Sequence, residues 1–127
     1  MVMYTLIIKK SFNTPDVHFD AESGELRLEG RSIPENPENL YMKMIRWIRE
    51  YFENPKELTR AVIKLEYVNS GSSKFLLEIL RVMKKYHDRG NSCVVDWYYE
   101  EEDERIMELG LHYKSTTELP FNMHEIY

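Results

Sequence analysis

The stretch that most constrains the fold is Ala61–Val68 together with the N-S-G-S-S segment that follows it at 69–73. The run is apolar and alternates little, as expected of a strand that is buried on both faces. A helical spacing of apolar residues follows from near Ser72. This order predicts a parallel strand, a serine-rich corner and a helix. In an open α/β sheet, ligands usually bind at such a carboxyl end of a strand.

The other elements follow from periodicity and from turn and cap residues. They are a strand at 3–9, a hairpin at 17–29 turning at Gly24, a helix from an Asn36 cap to about Glu53, a helix that Arg89-Gly90 ends, a buried strand at 92–99, a short helix opened by the acidic block 100–104, and an edge strand or tail at 119–127. We therefore predict one α/β domain over 1–127. Its single-layer mixed sheet has an N-terminal antiparallel hairpin, a parallel βαβ centre and about three helices.

Composition excludes several classes of function. A net charge of −5 argues against a nucleic-acid partner bound through phosphates. In the first ten residues, MVMYTLIIKK, the apolar residues precede the lysines, which is the reverse of the order in a signal peptide. The apolar run is also too short to cross a membrane, so no membrane partner is expected. Cys93 is the single cysteine and lies in an apolar run, which indicates a small core residue. Because no disulfide can form within the chain, a reducing cytoplasm is expected. The four histidines lack metal-ligand spacing, so neither a metal nor another cofactor is expected.

The serine-rich corner has two interpretations. Serines commonly cap helices, and Ser70 or Ser72 would then be structural. Alternatively, a phosphoryl group on Ser70 would add about −1.5 to −2 charges beside a helix N-terminus that favours anions. The corner lacks the residues of a Walker phosphate loop and of a nucleophile elbow. The acidic block 100–104 also has two interpretations: it is either solvated charge at a helix N-terminus or a docking patch for a basic partner.

Three segments carry a family resemblance: G-R-S-I-P-E-N at 30–36, L-E-Y-V-N-S-G-S-S-K at 65–74 and D-W-Y-Y-E-E-E-D-E at 96–104. The stretches at 14–26 and 119–121 agree with it, so nearly the whole chain is covered in one order. Together they resemble the SiaC family of bacterial regulatory phosphoproteins. The resemblance implies a fold similar to anti-sigma-factor antagonist (STAS-like) domains and a partner-switching role without enzyme activity.

In that role, a GHKL-type protein kinase phosphorylates a hydroxyl after the asparagine, and a PP2C-type phosphatase removes the phosphate. The unmodified protein binds and activates a diguanylate cyclase, which raises cyclic di-GMP and affects biofilm formation. By position the acceptor falls on Ser70, where the family has threonine. Gly71 stands where the family often has serine, which is expected to loosen the corner and leaves Ser72 as a rival acceptor.

The partner surface implied by the resemblance combines the corner with the loop before the first helix. Its members are Glu66, Tyr67, Asn69, Gly71, Ser73, Arg31, Ser32, Pro34, Glu35 and Asn36. Two alternatives remain: a small enzyme that binds an anionic substrate at Ser70–Ser73, and a constitutive interaction scaffold. The enzyme predicts a concave pocket with a general base near Ser70, whereas a switch protein predicts a shallow, convex corner.

Overall fold

The computed structural model describes residues 3–126, which form one six-stranded mixed sheet and three helices. The strands are β1 (Leu6–Ile8), β2 (Asp16–Asp20), β3 (Glu25–Ser32), β4 (Leu58–Val68), β5 (Ser92–Glu100) and β6 (Phe121–Ile126); the helices are α1 (Glu38–Tyr51), α2 (Ser70–Asp88) and α3 (Glu104–Thr117). Strand order across the sheet follows the sequence. β1–β2 and β2–β3 pair antiparallel, and the remaining pairs are parallel. The predicted fold class is confirmed.

The β2–β3 hairpin turns at Gly24, as its position in the sequence predicts. Gly24 has a φ of +75°, a conformation that side chains beyond glycine rarely adopt. Its N–H donates to the Asp20 carbonyl at 3.0 Å. A Cβ atom there would lie 2.6 Å from the Leu58 carbonyl oxygen at the start of β4. Glycine therefore serves both the turn and the close approach of the neighbouring strand.

The helices cover one face of the sheet. Each parallel connection, from β3 through β6, moves to the next strand in the same direction, and such connections are right-handed. All three helices consequently pack on one side, where α1 contacts α2 and α2 contacts α3. The prediction that β4 and β5 are buried on both faces is wrong. On the uncovered face Glu66 is exposed, and Val62 is shielded by its cross-strand neighbours Arg27 and Asp96.

The uncovered face carries a polar cluster centred on Asp96 of β5. Its carboxylate accepts hydrogen bonds from Arg60 of β4 and from Asn122 of β6, the latter at 3.0 Å, and it lies 2.9 Å from His124 Nε2. The His124 ring stacks on Tyr98 with centroids 4.6 Å apart. Burial alone would raise the pKa of Asp96, but the hydrogen bonds with His124, Arg60 and Asn122 outweigh it and lower the pKa. The cluster joins edge strand β6 to the sheet.

Several predicted boundaries move by a few residues. The residue that caps α1 is Pro37 rather than Asn36, and its side chain has no hydrogen-bonding group. Helix α2 begins at Ser70, not near Ser72, because Asn69 caps it. Helix α3 is fourteen residues long rather than short. Tyr127 of the predicted C-terminal strand lies outside the described residues. Within residues 3–126, no helix combines the length and apolar character that a bilayer crossing requires.

The covered face holds an aromatic core. Trp47 and Tyr51 of α1 stack with ring centroids 5.5 Å apart, and Trp97 of β5 meets Tyr113 of α3 edge to face. Cys93 is buried with them, as predicted, at 2% exposure. Burial raises the pKa of its thiol to about 12. Cys93 is thus a neutral core residue at physiological pH.

Candidate functional site

Ser70 and Ser72 occupy opposite sides of the first turn of α2. Ser70 is the first helical residue and is exposed, whereas Ser72 is 0% exposed. Two steps along an α-helix rotate a side chain by about 200°, so one serine faces solvent when the other faces the core. Of the two candidate acceptors, only Ser70 presents its hydroxyl at the surface.

The Ser72 hydroxyl belongs to a buried chain of hydrogen bonds. Ser32 Oγ, at the end of β3, lies 2.8 Å from Ser72 Oγ and 2.6 Å from the Tyr41 hydroxyl of α1. Burial raises the pKa of Tyr41 despite the hydrogen bonds with Ser32 and Ser72 that favour its ionised form. Nearby, the Tyr113 hydroxyl of α3 donates to the Ser73 carbonyl at 2.6 Å. The base of the corner is thereby fixed to β3, α1 and α3.

Asn69 joins the corner to the segment before α1. Its Oδ1 accepts a hydrogen bond from the Ser72 N–H at 2.9 Å, which caps α2, while its Nδ2 donates to the Pro34 carbonyl at 2.8 Å. Its backbone N–H also donates to the Ser32 carbonyl at 3.0 Å. Two segments that are remote in sequence, 30–36 and 65–74, therefore form one surface.

The residues expected to bind a partner divide by exposure. Glu35, Asn36, Glu66 and Tyr67 are exposed; Arg31, Asn69, Gly71 and Ser73 are half-buried; Ser32 and Pro34 are buried. The Ser32 side chain points into the core, so the structure gives it a supporting position instead of the surface position expected. Gly71 is helical, and a Cβ atom at its position would lie 3.1 Å from Pro37 Cγ. That glycine loosens the corner stays a prediction.

An exposed aromatic pair flanks Arg31 beside the corner. The Arg31 guanidinium lies 5.4 Å from the centroid of Tyr67 and 5.8 Å from that of Phe12, and its Nε is 3.8 Å from Glu66. Phe12 is 80% exposed, although phenylalanine is usually buried. Sequence reasoning missed Phe12 because a lone aromatic residue in a turn segment has no periodic signature.

A groove of about 560 Å³ opens beside Ser70, between the N-termini of α2 and α3. We call it the α2–α3 groove; the residues that define it are Tyr67, Ser70, Asp103, Arg105, Ile106 and Leu109. The expectation of a convex corner is wrong. Both helices start at the same edge of the sheet, from adjacent strands, and the space between their first turns remains open.

The ionisable side chains that line the α2–α3 groove are the two carboxylates of Glu66 and Asp103, the Tyr67 phenol and Arg105. Asp103 Oδ1 accepts a hydrogen bond from the Ile106 N–H at 3.0 Å and so caps α3, and Glu66 lies next to Arg31. No histidine lines the groove among residues 3–126. Within that same range, no cluster of three His, Cys, Asp or Glu side chains suits a metal ion. Both carboxylates thus already have structural partners.

Comparison with known proteins gives consistent results. A family model described as SiaC family regulatory phosphoprotein matches residues 8–126. An uncharacterized protein of Pseudomonas aeruginosa (strain UCBPP-PA14) is 28% identical over 119 residues, 94% of each chain. The chain also matches P. aeruginosa SiaC in a crystal structure of the diguanylate cyclase SiaD with its activator SiaC (TM-score 0.90, 26% identity, 95% of this chain and 99% of that one). Apo-SiaC from P. aeruginosa gives a TM-score of 0.89 at 25% identity, covering 96% and 99% of the two chains.

Proposed function

This chain belongs to the SiaC family of regulatory phosphoproteins, and from that premise we propose that it is a single-domain partner switch controlled by phosphorylation of Ser70. In the unphosphorylated state it binds and activates a diguanylate cyclase and so raises cyclic di-GMP. A GHKL-type kinase adds the phosphate and a PP2C-type phosphatase removes it. Because the kinase needs ATP, the exchange belongs to the cytoplasm.

The observation that carries this proposal is the exposed Ser70 at the rim of a groove that polar and apolar side chains line together. Tyr67, which is exposed, and Leu109, which is half-buried, give a partner apolar surface to bury, and the neutral hydroxyl can be covered with them. A phosphate at the same atom brings about −1.5 to −2 charges and cannot be covered cheaply. An unmatched charge in an interface costs about 2–5 kcal/mol, enough to weaken binding by a factor of about 30 or more.

The burial of Ser72 supports Ser70 as the acceptor. A kinase would have to break the Ser32–Ser72 hydrogen bond and unwind the first turn of α2 to reach Ser72 Oγ. Ser70 needs no such opening, because its side chain is already exposed. Tyr67 lines the groove, and Phe12, on the other side of Arg31, extends the proposed partner surface away from it.

We assign no catalytic activity to the corner. A hydrolytic or transfer reaction at Ser70 would need a general base within hydrogen-bond reach of its hydroxyl. The nearby carboxylates, Asp103 and Glu66, are held by a helix cap and by an ion pair. A regulatory site needs only an accessible acceptor and a surface for the partner, and the corner offers both.

Intact-mass measurement after incubation with the cognate kinase tests the acceptor. We expect wild type and Ser72→Ala to gain one phosphate and Ser70→Ala to gain none. Ser115→Ala, which removes another exposed serine on α3, is the matched control and should behave as wild type. Phosphate uptake by Ser70→Ala would reject Ser70 as the acceptor. Affinity capture from native lysate should recover the cyclase with Ser70→Ala and lose it with Ser70→Asp.

A further inference from the structure

We propose that Arg105 of α3, assisted by Lys74 of α2, holds the phosphate of phosphorylated Ser70 across the α2–α3 groove. This inference rests on the proposed function, since it concerns the modified state of the same serine. It adds a structural role for the phosphate: besides repelling a partner, the phosphate would link the two helices whose first turns form the groove.

Arg105 occupies an unusual place for a cation. It lies in the first turn of α3, where the helix macrodipole disfavours positive charge. Five acidic residues at 100–104 precede it, yet Arg105 joins none of the ion pairs formed within residues 3–126. Its side chain instead lines the groove with Ser70. The helix therefore bears a charge that the macrodipole disfavours and that has no ion-pair partner among the described residues 3–126.

A phosphate on Ser70 would supply that partner. The arginine guanidinium offers parallel N–H donors that match two phosphate oxygens, a strong and directional form of pairing. Lys74 follows Ser70 by four residues on α2, which is the spacing at which an anion and a lysine meet on a helix surface. Lys74 is exposed and also forms no ion pair within residues 3–126.

The two carboxylates that line the groove repel a phosphate, but neighbouring groups partly offset their negative charge. Glu66 lies 3.8 Å from Arg31, and Asp103 is engaged in capping α3. Their presence makes a cation in the groove necessary if the phosphate is to occupy a fixed position. With Arg105 drawn to Ser70, the half-buried side chain of Leu109 would become less accessible. Phosphorylation would then close the groove as well as charge its rim.

The test uses the full chain with phosphoserine incorporated at position 70 during translation, so that no kinase is needed. Phosphorus NMR gives the second pKa of the phosphate, which is near 6 for a free phosphoserine. We expect that pKa to be higher in Arg105→Gln than in the otherwise wild-type phosphoprotein, by about 0.5–1 pH unit. Lys114→Gln removes an exposed cation from the other end of α3 and should leave the value unchanged.

An Arg105→Gln value equal to that of wild type would overturn the proposal, and so would equal shifts in the two variants. Arg105→Lys should fall between wild type and Arg105→Gln, because lysine keeps the charge but loses the bidentate geometry. The proposed switch is judged separately, by cyclase capture with the phosphorylated and unphosphorylated proteins. A phosphate that contacts Arg105 without affecting capture would therefore refute the switch alone.

Discussion

Replacing Asn69 by serine and by alanine separates the two hydrogen bonds of this side chain, one of which caps α2 while the other joins the corner to the 30–36 segment. Serine is as good a helix cap as asparagine, so Asn69→Ser keeps the hydrogen bond from the Ser72 N–H. Its shorter side chain cannot reach the Pro34 carbonyl, which Asn69 Nδ2 contacts at 2.8 Å. Asn69→Ala loses both interactions.

The expected free energies follow from these contacts. A lost cap costs about 1 kcal/mol, and a lost hydrogen bond to a partly buried carbonyl costs about another 1 kcal/mol. We therefore expect the free energy of unfolding to fall by about 1 kcal/mol in Asn69→Ser and by about 2 kcal/mol in Asn69→Ala. Urea unfolding monitored by tryptophan fluorescence gives both values by linear extrapolation. Ser70→Ala, which changes an exposed side chain, should stay within about 0.5 kcal/mol of wild type.

Two results would refute this reasoning. If Asn69→Ser were as stable as wild type, the hydrogen bond to the Pro34 carbonyl would contribute nothing, and the 30–36 segment would not be anchored through the Asn69 side chain. If Asn69→Ser were as unstable as Asn69→Ala, the cap would contribute nothing to α2.

Three further predictions concern packing, pH and the partner surface. Gly110→Ala should destabilise the fold by about 1 kcal/mol in urea unfolding, since its Cβ would lie 2.5 Å from the buried Trp97 ring and overpacking outweighs the gain in helix propensity; a more stable variant would contradict this. Because the pKa of Asp96 is lower in the folded state, its carboxylate stabilises the fold above pH about 4, and that contribution disappears as the pH falls through the folded-state pKa. The difference in the free energy of unfolding between wild type and Asp96→Asn should accordingly shrink in acid. A difference that does not change with pH would contradict this prediction. Tyr67→Ala should weaken cyclase binding about tenfold in calorimetry with unfolding unchanged, and unaltered affinity would exclude Tyr67 from the interface.

Local signals in the sequence predict most elements and place a helix cap in the 69–73 segment, although the capping residue is Asn69 and not Ser70 or Ser72. Gly24 marks a hairpin because its positive φ is a local requirement, and Asn69 precedes a helix because the N-terminal N–H groups need an acceptor. Both depend on neighbours within a few residues. The family motifs add the order of the segments and direct attention to Ser70.

The remaining features depend on tertiary geometry. The run in β4 is apolar enough for a strand with two covered faces, but the common direction of the crossovers leaves one face uncovered. Ser72 is buried only because Ser32 and Tyr41 surround it, and they come from other elements. Likewise, Arg105 follows an acidic block in sequence but lines the same groove as Ser70 of another helix. The hydrophobic periodicity of the sequence does not indicate such contacts between separate elements.

The most direct test of the account measures how tightly the cognate diguanylate cyclase binds this protein with and without phosphate on Ser70. Calorimetry or interferometry with the purified unmodified protein and its phosphoserine-70 form gives two dissociation constants. We expect the phosphorylated form to bind at least about 30-fold more weakly, which corresponds to the lower bound of about 2 kcal/mol for an unmatched charge. Equal dissociation constants for the two forms would contradict it.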